Sequence, residues 1–151
     1  MNVQQITPDE AKRVLDSGGY VYLDVRTVPE FVNGHPPTAM NIPVAEVNPA
    51  TARMEMNEKF VGVVQANIPA DTLLIVGCKT GGRSAAACDL LAKAGYKNLR
   101  NMVGGFGGVV DPSGQILQEG WSTLGYPIER GEGEERGYET LSARTNPTPH
   151  P

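Results

Sequence analysis

Apolar and polar positions follow two different spacings along this chain. Thr7-Pro8-Asp9-Glu10 sets a threonine three residues ahead of a glutamate, with proline between them. This is the pattern of a capping box with proline in the first helical turn. A short helix is expected to follow, with Ala11, Val14 and Leu15 on one face, and to stop at Gly18-Gly19. Tyr20 to Val25 is rich in aromatic and β-branched residues and predicts a first strand. The stretch TVPEFVNGHPP predicts a short helical turn, broken by Gly34 and the Pro36-Pro37 pair. Ala39 to Ile42 predicts a short strand ended by Pro43.

In the second half, residues 57–66 predict a helix with Phe60, Val63 and Val64 as its apolar positions. Thr72 to Val76 is a near-continuous apolar run. A strand apolar on both faces belongs in the middle of a parallel sheet. Ser84 to Ala94 predicts a helix stopped by Gly95, and Leu99 to Val103 a further strand. Strands alternating with helices give an α/β fold with a mainly parallel sheet. After Val103 the composition turns glycine-rich, with a turn expected over Asp111-Pro112-Ser113-Gly114. Trp121 and Leu124 are expected to return to the core. Residues 1–129 are expected to form the domain. Residues 130–151 are polar with few apolar anchors, which predicts a disordered tail or a partner-binding segment that orders on contact.

Bulk properties narrow the classes. A chain of 151 residues suits one domain. Its net charge of -4 argues against a nucleic-acid partner, which would call for a basic surface. No apolar run reaches the length of a membrane span, and the first ten residues lack the apolar core of a secretory leader. Only Cys78 and Cys88 are present, too few for a disulfide scaffold and without the spacing of a zinc site. The expected setting is a reducing cytoplasm, with no membrane partner.

The informative segment is TLLIVGCKTGGRSAAACDLLAKAG. A buried strand ends at Gly77, and Cys78 follows at its carboxyl end, where ligands of open α/β sheets bind. Lys79, Thr80, Gly81, Gly82 and Arg83 form a short loop, and a helix starts near Ser84. Glycines let successive amides converge on one point, and such a nest binds an anion. The helix would direct its positive end toward the loop, and Lys79 and Arg83 add two cations. All three features favour a thiolate, the nucleophile of sulfur exchange. Neither a metal nor an organic cofactor is called for. Cys88 lies inside the following helix, with Ala87, Leu91 and Ala94 near its face, and reads as a core residue rather than a resolving thiol.

The chain resembles the single-domain rhodaneses, including small bacterial and plant-type members, from about Val3 to Ile128. The resemblance rests on LDVRTVPEFVNGHPPTAMNIPV, then IVGCKTGGRSAAACDLLAKAGYKNLRNMVGGF, then WSTLGYPI, in that order. It implies a rhodanese-like α/β fold: a central, mainly parallel five-stranded sheet with helices on both faces. It also implies a persulfide on Cys78, its outer sulfur cradled by backbone amides from Lys79 to Ser84. Asp24, Arg26 and Glu30 match family positions expected to make polar contacts beneath or beside the site, as ion pairs rather than catalysts. His35 is likewise expected to be structural rather than a base. The chain departs from the family by an insertion at about residues 107–119, expected to form a hairpin or a flap.

The leading expectation is a sulfurtransferase that takes sulfur from a small anionic donor such as thiosulfate and passes it to cyanide, a thiol or a protein acceptor. A sulfur carrier or interaction module loaded by a protein partner is the alternative. A phosphatase or arsenate-reductase-like activity is weaker. Cys78 to Arg83 spans six residues, one fewer than the C-x5-R loop of those enzymes, and Gly77 stands where many phosphatases carry histidine. Oligomeric state is not legible.

Overall fold

The computed structural model describes residues 3–131 and 135–144. The chain begins with β1 (Val3–Ile6), α1 (Pro8–Ser17), β2 (Tyr20–Asp24), α2 (Val28–Asn33) and β3 (Met40–Asn41). It continues through β4 (Ala45–Asn48), β5 (Arg53–Met56), α3 (Phe60–Asn67), β6 (Leu73–Gly77), α4 (Gly82–Lys93) and β7 (Leu99–Met102). β8 (Val109–Val110), β9 (Ile116–Gln118) and α5 (Tyr138–Ser142) complete it. The expected α/β architecture is present. Five strands form one sheet in the order β1-β7-β6-β2-β3, and every pairing within it is parallel.

Both faces of the sheet are covered, as parallel sheets require. On one side Ala11 of α1 and Phe31 of α2 pack with Tyr22, Ile75, Met102 and Trp121. On the other, Phe60, Val63 and Val64 of α3 and Ala87, Cys88 and Leu91 of α4 pack with Leu23, Leu74 and Val76. The capping box at Thr7 forms: the threonine amide donates to Glu10 Oε1 at 2.9 Å, and the Glu10 amide donates to Thr7 Oγ1 at 3.2 Å. A second box closes α2 through Thr27 and Glu30.

Topology locates the functional end. From β2 the chain moves to its neighbour β3 on one side; from β6 it moves to β7 on the other. The helices after β2 and β6 lie on opposite faces. The carboxyl ends of β2 and β6 therefore flank a topological switch point, the usual place for a ligand crevice. Asp24 and Gly77, the last residues of these strands, are register partners there.

Three regions differ from expectation. β1 was not foreseen: VQQI is an edge strand with two exposed glutamines, and only Ile6 is buried. β4 and β5 form a separate antiparallel hairpin that leaves Val47, Met54 and Met56 exposed, so no alternation of buried and exposed positions marks it. The third is the tail. Residues 135–144 are ordered against the domain, and Leu141 of α5 is fully buried in the α3–α4 core. Asn67 Nδ2 donates to the Leu141 carbonyl at 2.9 Å, and Asn57 Nδ2 donates to Tyr138 Oη at 3.0 Å. Leu141, the partly buried Tyr138 and two asparagine amides anchor it, which polar composition conceals. The rest of the expected tail, residues 132–134 and 145–151, lies outside the described residues.

Leu141→Ala tests this packing. It removes a fully buried side chain and is expected to destabilise the fold by roughly 2–5 kcal/mol, read from urea unfolding. A loss under about 0.5 kcal/mol, the range of a surface substitution, would show that α5 does not belong to the core.

Candidate active site

Cys78 follows β6 directly, and its side chain is 1% exposed. The next residues turn the backbone around its sulfur. Gly81 caps α4 in the left-handed region, at φ 117°, which an L side chain adopts only with strain. That turn brings the Gly81 amide to the sulfur, donating to Sγ at 3.0 Å. No side chain caps the first turn of α4, so the amides of Gly82, Arg83 and Ser84 have no partner within the helix. They and the helix dipole make this an anion-binding end. Lys79, Thr80 and Gly82 are exposed at the rim, and Arg83 is half-buried.

Ser84 is fully buried beneath the sulfur. Its hydroxyl lies 3.4 Å from Cys78 Sγ, 3.1 Å from the Gly81 carbonyl and 2.5 Å from Asn101 Oδ1. Asn101, on β7, in turn donates from Nδ2 to Gln5 Oε1 at 2.8 Å. Sequence reasoning passed over Asn101. The signal was a buried amide in the middle of a strand, LRNM, where a polar group needs a partner.

The loop rests on the segment after β7. The amides of Phe106 and Gly107 donate to the carbonyls of Cys78 and Lys79 at 2.7 and 2.8 Å. Gly105 has φ 57°, and a Cβ there would sit 2.4 Å from the Cys78 oxygen. Gly77 has a related role. A Cβ on it would sit 1.9 Å from the hydroxyl of Tyr22, whose ring fills the space below the strand end. The expected insertion is a hairpin, β8–β9. Asp111 accepts from the Ser113 and Gln115 amides at its turn.

The acidic and basic residues sort into two pairs. Asp24 and Arg26, both nearly fully buried, form a fork in which Arg26 Nη2 donates to Asp24 Oδ2 at 2.6 Å and Nε to Oδ1 at 2.9 Å. Nη2 also donates to the Gly34 carbonyl at 2.6 Å, and Phe106 stacks 4.5 Å from the guanidinium. Arg83 is turned the other way. It grips Glu30 with two bonds of 2.7 and 3.0 Å, so its charge is largely matched rather than free to draw a donor. Among the described residues Lys79 has no carboxylate partner, and it is the unmatched cation of the loop. His35 is buried, stacks on Phe31 at 3.7 Å and bonds through Nδ1 to the Phe31 carbonyl. Nothing places it at the sulfur. Cys88 is fully buried, and burial, with Asp89 and Cys78 adding to it, pushes its thiol up to about 12. It stays protonated and packs as a core side chain. Among the described residues no cluster of three or more metal-ligating side chains occurs, and no helix is long and apolar enough to cross a membrane.

Glu30 makes the Arg83 pair sensitive to pH. Burial alone would raise its carboxyl, but the Arg83 bonds and those from Thr27 outweigh it and hold it near 2, below an ordinary value of 4.5. Stability from a depressed carboxyl is present above the ordinary value and is lost as pH falls through the depressed one. Glu30→Gln is therefore expected to destabilise by on the order of 1–2 kcal/mol at neutral pH, a figure reduced for solvent screening. The difference from the parent should shrink between pH 4.5 and about 2. Denaturant unfolding across that range checks it, and a pH-independent difference would contradict the ion pair.

Comparison with known proteins follows the same lines. The family model described as Rhodanese-like domain matches residues 7–111. Thiosulfate sulfurtransferase 18 of Arabidopsis thaliana is 42% identical over 120 residues, covering 78% of this chain and 85% of that protein. Rhodanese-like domain-containing protein 17 of the same plant is 40% identical over 103 residues, covering 67% of this chain and 64% of that protein. The crystal structure of Rv0390 from M. tuberculosis superposes with a TM-score of 0.69 at 26% identity, covering 85% of this chain and 98% of that one. The cytoplasmic expectation is overturned. Relatives include Thiosulfate sulfurtransferase 16, chloroplastic, of A. thaliana (39% identical, 58% of this chain and 72% of that protein). They also include a putative thiosulfate sulfurtransferase, mitochondrial, of Schizosaccharomyces pombe (34% identical, 62% and 66%). These names point to organelles, and redox reasoning from two cysteines cannot tell one reducing compartment from another. Fold, loop and relatives agree that this chain belongs to the rhodanese-like family.

Proposed function

We propose that the protein is a sulfurtransferase that carries sulfur on Cys78. The observation that carries the reading is the placement of the sulfur: Sγ at the base of a six-residue loop, met by the Gly81 amide at 3.0 Å. In the first step the Cys78 thiolate attacks the outer sulfur of a thiosulfate-class donor. A Cys–S bond to that sulfur forms, the donor S–S bond breaks, and its electron pair leaves with sulfite. The persulfide anion then occupies the amide nest. In the second step cyanide or a thiol attacks the outer sulfur and releases the thiolate, a ping-pong cycle. Lys79 at the rim draws the anionic donor, and Arg83 shapes the loop through its grip on Glu30. No proton need be taken from a substrate, which leaves no task for His35 as a base.

Two features weigh against a phosphoryl or arsenate substrate. The loop is one residue short for a tetrahedral oxyanion. Tyr22 also occupies the space that any side chain at position 77 would need.

A second reading is a carrier loaded by a protein partner, and one observation favours it. The β8–β9 hairpin exposes Val110, Ile116 and Leu117, while its base is bonded to the carbonyls of Cys78 and Lys79. An apolar surface beside the loop suits protein contact.

Intact mass after incubation with thiosulfate, beside Cys78→Ser, tests the proposal. The parent alone should gain one sulfur, lose it on adding cyanide and release thiocyanate. No gain on the parent would remove thiosulfate as donor. Gain from a protein persulfide instead would establish the carrier reading, and turnover of an aryl phosphate or arsenate would overturn both.

A further inference from the structure

A continuous hydrogen-bonded chain leads from the sulfur to the surface: Cys78, Ser84, Asn101, Gln5. Its separations are 3.4, 2.5 and 2.8 Å. Its first three members are buried, and Gln5 is exposed on the edge strand β1. Gln5 and Asn101 are register partners across β1 and β7.

The serine hydroxyl has one proton to give. As arranged, Asn101 Oδ1 and the Gly81 carbonyl can only accept, so that proton points away from the sulfur. Cys78 then meets a lone pair, which suits a thiol. A thiolate or persulfide anion needs the reverse. The chain can supply it without losing a bond. Half-turns of the two amides exchange their oxygen and nitrogen positions. Gln5 Nε2 then donates to Asn101 Oδ1, and Asn101 Nδ2 donates to Ser84 Oγ. The hydroxyl proton, no longer held by Asn101, is left to the Gly81 carbonyl and Sγ, of which a negative sulfur is the charge-assisted acceptor. The thiol proton leaves to solvent. Amide oxygen and nitrogen are nearly equal in size, so the exchange suits a packed interior.

We propose that Asn101 and Gln5 are positioning residues that set the direction of the Ser84 hydroxyl, and through it the balance between thiol and anion at Cys78. This rests on Cys78 being the reacting group. The surface end is the handle. Glutamate at position 5 can only accept, which holds the chain in the thiol direction. Lysine there can only donate, which holds it in the anion direction. Gln4 is exposed on the opposite face of β1, and the same substitutions there carry the same charge without touching the chain. The charged and titratable groups around Cys78 are Lys79, the Arg83–Glu30 pair, the Asp24–Arg26 pair, Tyr22 and Cys88. All are unchanged in these four variants.

The experiment is the rate of Cys78 alkylation by iodoacetamide against pH, for the parent and for Gln5→Glu, Gln5→Lys, Gln4→Glu and Gln4→Lys, in high salt. Gln5→Glu should slow alkylation below the midpoint by about threefold or more relative to Gln4→Glu, with the profile moved to higher pH. Gln5→Lys should move it the other way relative to Gln4→Lys. Equal profiles at the two positions would overturn the proposal, since through-space charge alone would then explain them. Thermal unfolding confirms that the variants fold. Persulfide mass gain is measured on the same samples. Its absence beside opposed alkylation profiles would sink the sulfur-carrying reading and leave the relay standing. Its presence beside equal profiles would do the reverse.

Discussion

A loop that turns its amides inward must turn its carbonyls outward, and buried carbonyls need partners. Here the outward carbonyls of Cys78 and Lys79 are met by the amides of Phe106 and Gly107. The site depends on this backbone-to-backbone seam. It explains the glycine cluster after β7, because a side chain at position 105 would collide with the oxygen being bonded. It also explains why the cysteine loop holds its shape without a side-chain cap on α4. The nest is braced from behind by a second stretch of main chain, and the sulfur in front meets the Gly81 amide, whose position is already set.

Charge is distributed with similar economy. The Asp24–Arg26 fork ties the end of β2 to the Gly34 carbonyl and to Phe106, so it links both sides of the crevice to the brace. Glu30 serves two structures at once. Its Oε1 accepts from the Thr27 amide in the α2 capping box and from Arg83 of the loop. The helix after β2 is thereby fastened to the helix after β6 across the switch point. Neither pair is aimed at the sulfur, which is met instead by the Gly81 amide.

The sequence made the central fold and the place of Cys78 in it legible for specific reasons. TLLIV could only be a strand buried on both faces, and a cysteine directly after it, before glycines and a helix, could only lie at the carboxyl edge of the sheet. Thr7 and Glu10 announced their own hydrogen bonds. What stayed hidden depends on partners far away in the chain. Arg83 read as a cation for the donor, because nothing local shows that Glu30 reaches it from 53 residues away. Asn101 read as part of a strand, since its importance lies in Ser84 and Gln5 on neighbouring elements. β1 and α5 each bury one side chain, Ile6 and Leu141, with Val3 and Tyr138 only partly buried beside them, too little to leave a pattern.

The hairpin β8–β9 leaves and rejoins the domain through a narrow neck. The Trp121 and Ser122 amides donate to the carbonyls of Gly105 and Phe106 at 3.0 and 2.9 Å, closing the chain on itself before the strands begin. Beyond Gly107, whose amide still donates to the Lys79 carbonyl, the hairpin takes no part in the hydrogen bonds described for the cysteine loop. The neck works as a graft junction: the stretch between Val109 and Glu119 can change length and surface character while the cysteine loop below it keeps its geometry. This small domain thus has a place where its surface can vary while the backbone around Cys78 stays fixed.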